Sequence, residues 1–482
     1  MASEHTGIAH GPGTAHGPGT AHAPGRAYAL RQLVPLIAVF VVLVDAATDF
    51  FPDDPLTGVL TPTRLAVVAG LVALVLPGGG QGWAQRVRNF RTRLDVPVAV
   101  LLLAALTTTF LGGHPTAPLR GLLTVVACYY LVVGLRRTQP ESWRAIGLLA
   151  LAGIAAAGTA AFSQFTNGTP TGFCRTGLLT DVSCDGGGTG TGAGSGDVLI
   201  RTIGTFANPN LLAAFLVLLL PFALLAAVSL DERTARTAVV LVAVVGYGAL
   251  LTTFSRAGYV AGAAGLLVLG GAYWLAPRLA DRAQRRLVTV LGFGFLVGAA
   301  ALISFVSRAG NSLGVRGQAW NAALDVAVSN PLGVGLGRSG AVISATAPGE
   351  RTFVHAHNMW LNWLVETGPL GLLGIVSVTV VAWYSAGRAA RAKSVVGTIG
   401  LASLTGFFLM GMMDHPANLD RIETLFWFVL AVVMAEAPTG WRGTTGHSAV
   451  STTSTASRPR QPRHGLPQHG SATPGAPVPA QR

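Results

Sequence analysis

Charge is scarce in this chain: Asp, Glu, Lys and Arg together make up 11% of 482 residues, against 51% hydrophobic residues and a mean hydropathy of +0.53. That balance excludes an ordinary water-soluble protein and makes lipid the natural solvent. Lysine is almost absent, with Lys393 the only one, so the formal charge of +13 is carried by arginine. The Ala, Gly and Arg bias is what a GC-rich genome would write, and it says little about function. The arginines fall in short clusters between apolar runs and form no continuous stripe, which argues against a nucleic-acid partner. No H-E-x-x-H stretch and no paired-acid motif suited to a divalent ion occurs. No small-residue cleavage site follows the first apolar run, which therefore reads as a retained helix.

What is present is a series of apolar runs approaching or reaching the ~20 residues that a helix needs to cross ~30 Å of hydrocarbon. They read as helices because the bilayer core offers no partner to open backbone groups. About twelve spans are expected, near 33–48, 59–77, 96–111, 119–135, 145–165, 208–229, 237–254, 257–275, 287–306, 369–387, 395–413 and 424–440. Residues 1–28 carry a decaying A-H-G-P-G-T repeat and read as a disordered tail, as does the Ser/Thr/Pro/Arg-rich segment 441–482. The membrane domain is then 29–440.

Alternate loops hold the arginine clusters at 86–93, 136–144, 233–236, 278–286 and 388–393. By the positive-inside rule those loops and both termini are cytoplasmic. Two long loops, 166–207 and 307–358, then face outward. Cys174 and Cys184 both fall in the first of these, where an oxidising face would let them pair at a gain of roughly 2–3 kcal/mol. Two free thiols are the other reading. Cys128 is alone inside a span.

Polar chemistry gathers between Arg316 and Gly371. Arg316 opens a short helix with Trp320, Leu324 and Val328 at four-residue spacing, stopped by Asn330-Pro331, and a helix start can help to hold an anion. The glycines at 333, 335 and 337 read as a tight turn. His355 and His357 invite a zinc reading with His114 or His415, but without an acidic partner close in sequence a proton-transfer histidine is favoured. Further upstream, Asn208 or Asn210 is placed to cap a helix with Pro209 in its first turn. Arg256, between two spans at their outer end, serves equally as a snorkelling arginine or a phosphate ligand.

In order and between the expected spans stand G-T-F-x-N-P-N at 204–210, S-R-A-G at 255–258, R-x-x-x-W at 316–320, G-x-G-x-G at 333–337, H-x-H-N at 355–358 and G-x-x-G at 368–371. This ordered set, across about 200–420, resembles the O-antigen ligase and polymerase superfamily. The resemblance implies an all-α integral membrane protein of the multi-span, GT-C-like glycosyltransferase type with two long extracytoplasmic loops. It implies an enzyme in the cell membrane that passes a glycan from a polyprenyl-diphosphate donor to an acceptor hydroxyl on a glycan, lipid or protein at the outer face, with no metal or other cofactor. Arg256 and Arg316 would hold the donor diphosphate and His357 would be the base. His355, Asn358, Glu366, Asn208 and Asn210 would support them, with Asn358 and Glu366 orienting His357. Polymerisation of lipid-linked repeat units is the alternative within the superfamily. The Cys-bearing loop departs from the pattern and leaves the acceptor open. A multi-span transporter is the rival from another class; it requires ionisable groups near the bilayer midplane, where only Asp45 is a candidate, and it lies near a span end.

Overall fold

The computed structural model describes residues 26–50, 60–76, 82–176, 180–182, 198–275 and 315–437 other than Glu350, with isolated positions between 278 and 286. The expected tails, the span at 287–306 and Cys184 lie outside the described residues. Among those described the protein is a helical bundle. In chain order it comprises α1 (Arg26–Thr48), α2 (Pro62–Val75), α3 (Trp83–Arg88), α4 (Asp95–Leu111), α5 (Ala117–Thr138), α6 (Ser142–Thr166), α7 (Pro209–Leu219), α8 (Phe222–Val228), α9 (Arg233–Thr252) and α10 (Arg256–Gly270). After these come α11 (Val315–Ser329), α12 (Ser339–Thr346), α13 (Met359–Arg391), α14 (Val395–Gly411) and α15 (Asp420–Glu436).

Six segments are long and apolar enough to cross a membrane: α5, α6, α7 with α8, α9, α10 with its terminal π turn, and α13. The apolar helices α2, α4 and α14, and α1 from Gln32, are shorter. The expected spans coincide with helices wherever the structure describes them, but among the described residues six have full spanning length, not twelve, and α15, where the span 424–440 was expected, is in neither set. Large apolar side chains such as Val96, Leu103 and Phe110 on α4, Val244 on α9, Leu267 on α10 and Val380 on α13 face outward. Water would penalise that surface; hydrocarbon does not.

Several helices begin on a side chain that accepts a free backbone N–H of the first turn: Thr61 for α2, Asn208 for α7, Ser255 for α10, Asn358 for α13 and Ser394 for α14. The centre of the bundle is α7, α14 and α15, with Phe215, Phe407, Phe408, Phe426, Trp427 and Phe428 almost wholly buried. Where α13 crosses α4 the backbones nearly touch: a Cβ on Gly374 would come 2.8 Å from Leu101 Cα. Small residues permit that approach in a membrane bundle.

The two sets of loops segregate to opposite ends. At one end, Arg137 at the close of α5 donates to the carbonyls of Asn89, Arg91 and Met434. Gln139 there donates to Gln32 O, and Ser394 to Glu436. At the other end Arg421 donates to Ala46 O and Thr205 O, and Asn210 reaches Asp414. The loops carrying Arg91, Arg137 and Ser394 therefore share one end, and those carrying Thr205, Asn210, Asp414 and Arg421 share the other.

One departure from an all-helical chain lies in the first long loop. A small antiparallel sheet of order β2-β1-β3 joins β1 (Cys174–Thr176), β2 (Thr180–Val182) and β3 (Val198–Ile200). Cys174 is disulfide-bonded and sits opposite Val182 and Ile200 in the register. Cys128 is free and buried in α5.

Candidate functional site

The helix α13 is broken. Gly368 has φ 68° and Pro369 follows it, so that Met359–Thr367 forms a short first limb before the membrane-length second limb. A break strands carbonyls, and the glycine loop takes them up: Val334 N donates to Val365 O and Gly335 N to Glu366 O, both at 3.0 Å. Gly333, Gly335 and Gly337 all have positive φ, and a Cβ on Gly333 would lie 2.3 Å from Glu366 O. The glycines are a turn, as the sequence suggested, and it seals a helix break; the N–H groups of Gly333 and Gly335 go to backbone carbonyls and that of Gly337 to the Glu366 carboxyl.

The loop before α13 carries the histidines. Asn358 caps α13 through Leu361 N and sends its Nδ2 to Met412 O at 3.0 Å, tying this loop to the one after α14. Asn362 Oδ1 accepts Ala356 N–H, and Trp320 Nε1 on α11 donates to His357 O at 3.3 Å. These four bonds hold His357 at φ 51°, a left-handed conformation that costs a non-glycine residue roughly 1–2 kcal/mol. Such stored strain tends to mark functional positions.

Asp414, in the loop after α14, is the partner that sequence reasoning missed. Its Oδ1 lies 3.5 Å from His355 Nε2 and 3.5 Å from His357 Nδ1, and its Oδ2 accepts Asn210 Nδ2 at 3.0 Å. Asn210 Oδ1 in turn accepts from Arg201. The His355 and His357 rings meet edge-on at 4.5 Å, and His415 lies edge-on to His355 at 5.7 Å. Asp414 is nearly buried; the His357 side chain is 27% exposed and that of His355 13%.

Burial holds His355 down to about 4 and His415 to about 3, with neighbouring histidines adding to the effect and Asp414 opposing it. Arg316 also opposes protonation of His355, which places its guanidinium in electrostatic reach of the cluster. Burial alone would raise Asp414, but the contact from His357 and the field of His355 outweigh it and set the carboxyl well below its ordinary range. At neutral pH the cluster is an ionised Asp414 among histidines, with His355 and His415 neutral.

The tautomer of His355 is set by its surroundings. His357 N–H donates to His355 Nδ1 at 3.0 Å, so the ring proton belongs on Nε2, facing Asp414. Ligand atoms of His355, His357 and Asp414 lie within 4.8 Å of one another, the dimensions of a metal site. A metal at His355 Nε2 would drive the ring proton to Nδ1, against a backbone N–H, so the donor set is poorly arranged for one. His114, considered in the sequence as a further ligand, is engaged with Arg338 instead.

Of the other expected residues, Asn208 is the cap of α7 and Arg256 stands exposed at the first position of α10. Glu366 is buried and accepts from Ser339 Oγ at 2.7 Å; Asp414 occupies the place beside His357 that Glu366 was expected to fill. Trp363 is buried in the main core, and Trp360 packs on Phe408 at 6.3 Å. Arg201 was not singled out from the sequence; its guanidinium also donates to Thr253 O, two residues before the Ser255 cap of α10.

A helical membrane bundle with a histidine and aspartate cluster at one end, flanked by arginines, is the class these features define. The family model described as O-Antigen ligase matches residues 238–376, so the resemblance carried by the motifs is borne out. The matched stretch holds Arg256, Arg316, His355, His357, Asn358 and Glu366, while Asn208, Asn210 and Asp414 lie outside it. No curated protein matches the chain. The family points to a membrane enzyme of the ligase or glycosyltransferase type acting on lipid-linked glycan.

Proposed function

We propose that this chain transfers a glycan from a polyprenyl-diphosphate donor to an acceptor hydroxyl, at the extracytoplasmic face and without a metal. The observation that carries the reading is the contact of Asp414 with His357 Nδ1. A carboxylate on Nδ1 holds the ring proton there, leaving Nε2 to accept a proton and stabilising the imidazolium that results. The acceptor O–H gives its proton to His357 Nε2 as its oxygen bonds to the anomeric carbon. The bond from that carbon to the phosphate oxygen breaks, and the electron pair leaves with the polyprenyl diphosphate. Arg256 and Arg316 bind the diphosphate and offset its growing charge through forked hydrogen bonds. The arginine clusters at the opposite end of the bundle support an outward-facing site. Ionisable groups at the helix ends, away from the bilayer midplane, favour transfer over transport.

Lipid-linked glycans from a deletion strain test the reading when it is complemented with wild type or with His357→Ala. Both the empty strain and His357→Ala should accumulate glycan on the lipid. Full-length glycan marks a ligase, and single repeat units mark a polymerase. Normal transfer by His357→Ala at equal expression would remove the residue from the mechanism.

A further inference from the structure

At the same end of the bundle as Asp414 lies a groove in two lobes. The first, about 640 Å³, opens between the end of α1 and the starts of α2, α5 and α15. The second, about 410 Å³, runs between the start of α5, the first limb of α13 and the loop from His415 to Asp420. Arg64, Gly121, Asn418, Asp420 and Glu423 line both lobes, so the two are continuous. His415 and Glu366 form part of the wall of the second lobe, and His415 packs against His355. The groove thus ends at the histidine cluster.

Its chemistry differs from that of the arginine side. Carboxyl groups come from Asp45, Asp49, Glu366, Asp420 and Glu423, and guanidinium groups from Arg64, Arg120 and Arg421; burial pushes Glu423 up to about 8 and raises Glu366 in the same direction, so the wall carries little net charge at neutral pH. Threonine hydroxyls at 61, 63, 124, 205 and 424 fill much of the remaining polar wall of the first lobe. Arg421 is held by Ala46 O and Thr205 O, over the Phe206 ring at 4.3 Å, and keeps one buried Nη2 without a partner. A wall that alternates acceptors and donors and carries little net charge suits many uncharged hydroxyl groups better than it suits a diphosphate. From Asp414 the cationic side is reached by another route, through Asn210 to Arg201.

We propose that this groove is the acceptor subsite and that it takes an uncharged, hydroxyl-rich carbohydrate chain, delivering it to the cluster at His415. The assignment rests on the glycan-transfer reading and adds to it a division of labour: arginines bind the anionic donor, and the groove of nearly balanced charge takes the neutral acceptor. Gly121 offers a clean plug, because a Cβ there meets nothing within 4 Å and the residue lines both lobes.

The test is calorimetric titration of the full chain in lipid nanodiscs with three probes: a neutral glucose hexasaccharide, an N-acetylglucosamine hexasaccharide and inorganic pyrophosphate. At least one sugar should bind wild type and Gly121→Ala alike and bind Gly121→Trp at least tenfold more weakly, while pyrophosphate binds all three proteins equally. Absence of sugar binding to wild type, sugar binding that survives Gly121→Trp, or loss of pyrophosphate binding in Gly121→Trp would each overturn the assignment. Because binding is read without transfer, a failure here leaves the role of His357 standing. An inactive role for His357 would in turn leave any sugar site intact.

Discussion

Asp414 Oδ1 stands 3.5 Å from His357 Nδ1, joining the loop after α14 to the loop before α13 at ion-pair distance, and that buried nitrogen makes no hydrogen bond among the described residues. The pair has a direct consequence for catalysis. Asp414→Asn keeps the shape of the carboxyl but removes the charge that stabilises a protonated imidazole. It can also present an amide N–H to Nδ1, forcing the ring proton to Nε2, where it blocks proton uptake. Transfer should fall by roughly 10²–10⁴-fold, the usual contribution of a general base, with donor-lipid binding retained. Transfer assays on membranes of equal expression check this, and an unimpaired Asp414→Asn would break the link between the two residues.

The arginines make a separate claim. A guanidinium meets a phosphate with two parallel N–H groups, whereas an ammonium offers a point charge. Arg316→Lys and Arg256→Lys should therefore each weaken binding of a polyprenyl diphosphate, and the double variant should weaken it further. Retention of full donor affinity in the double variant would count against both assignments. Truncation of Arg201 provides a comparison: its bonds to Asn210 and Thr253 O predict a loss of organisation in the Asp414 network more than a loss of donor affinity.

How much of this was legible in the sequence depended on distance along the chain. The Asn208 cap, the glycine turn and the short helix after Asn358 are local devices, and nearest-neighbour chemistry is enough to read them. Arg316 and Trp320 were visible as a motif, but the bond from Trp320 to His357 O joins elements separated by a helix and two loops. Asp414 follows a different span altogether, and nothing in the spacing of one apolar run from another says which loops meet. Glu366 was the nearer acid in sequence and was preferred for that reason; the break at Gly368 turns it toward Ser339.

The glycine turn can be tested as structure alone. Gly333 and Gly349 share a positive φ, but a Cβ at 333 would strike Glu366 O at 2.3 Å while one at 349 meets nothing within 4 Å. Alanine at 349 should cost about 1–2 kcal/mol, the strain of the left-handed conformation. Alanine at 333 should cost more and should also disturb the carbonyls that the helix break exposes. Thermal unfolding in detergent distinguishes them, and equal losses would mean that the close approach at 333 relaxes freely.

The outward orientation proposed for the polar end can be tested directly. Thr346 is exposed on α12, while Cys128 is buried and free and Cys174 is disulfide-bonded. A Thr346→Cys variant should react with a membrane-impermeant maleimide on intact cells. Reaction only after permeabilisation would place the polar end in the cytoplasm and remove extracytoplasmic acceptors from consideration.

Acid should loosen the cluster in a defined window. Buried His355 and His415 titrate at about 4 and about 3 in the folded chain, below the ~6.5 of an unfolded histidine. The unfolded chain therefore binds more protons between these values. The stability tied to keeping the rings neutral is fully present above pH ~6.5 and is lost as pH falls toward 4 and then 3. Asp414, held below its ordinary range, adds a contribution that is present above pH ~3.9 and disappears only below it. Burial pushes Glu423 up to about 8 and raises Glu366 in the same direction, which acts with the opposite sign as pH falls, so the histidine contribution shows as a difference in slope between wild type and a variant. His415→Phe keeps an aromatic ring against His355 but cannot take up a proton, so its decline between pH 6.5 and 4 should be shallower, whatever its stability at pH 7. Parallel declines in the two proteins would mean that His415 is not held neutral by the fold.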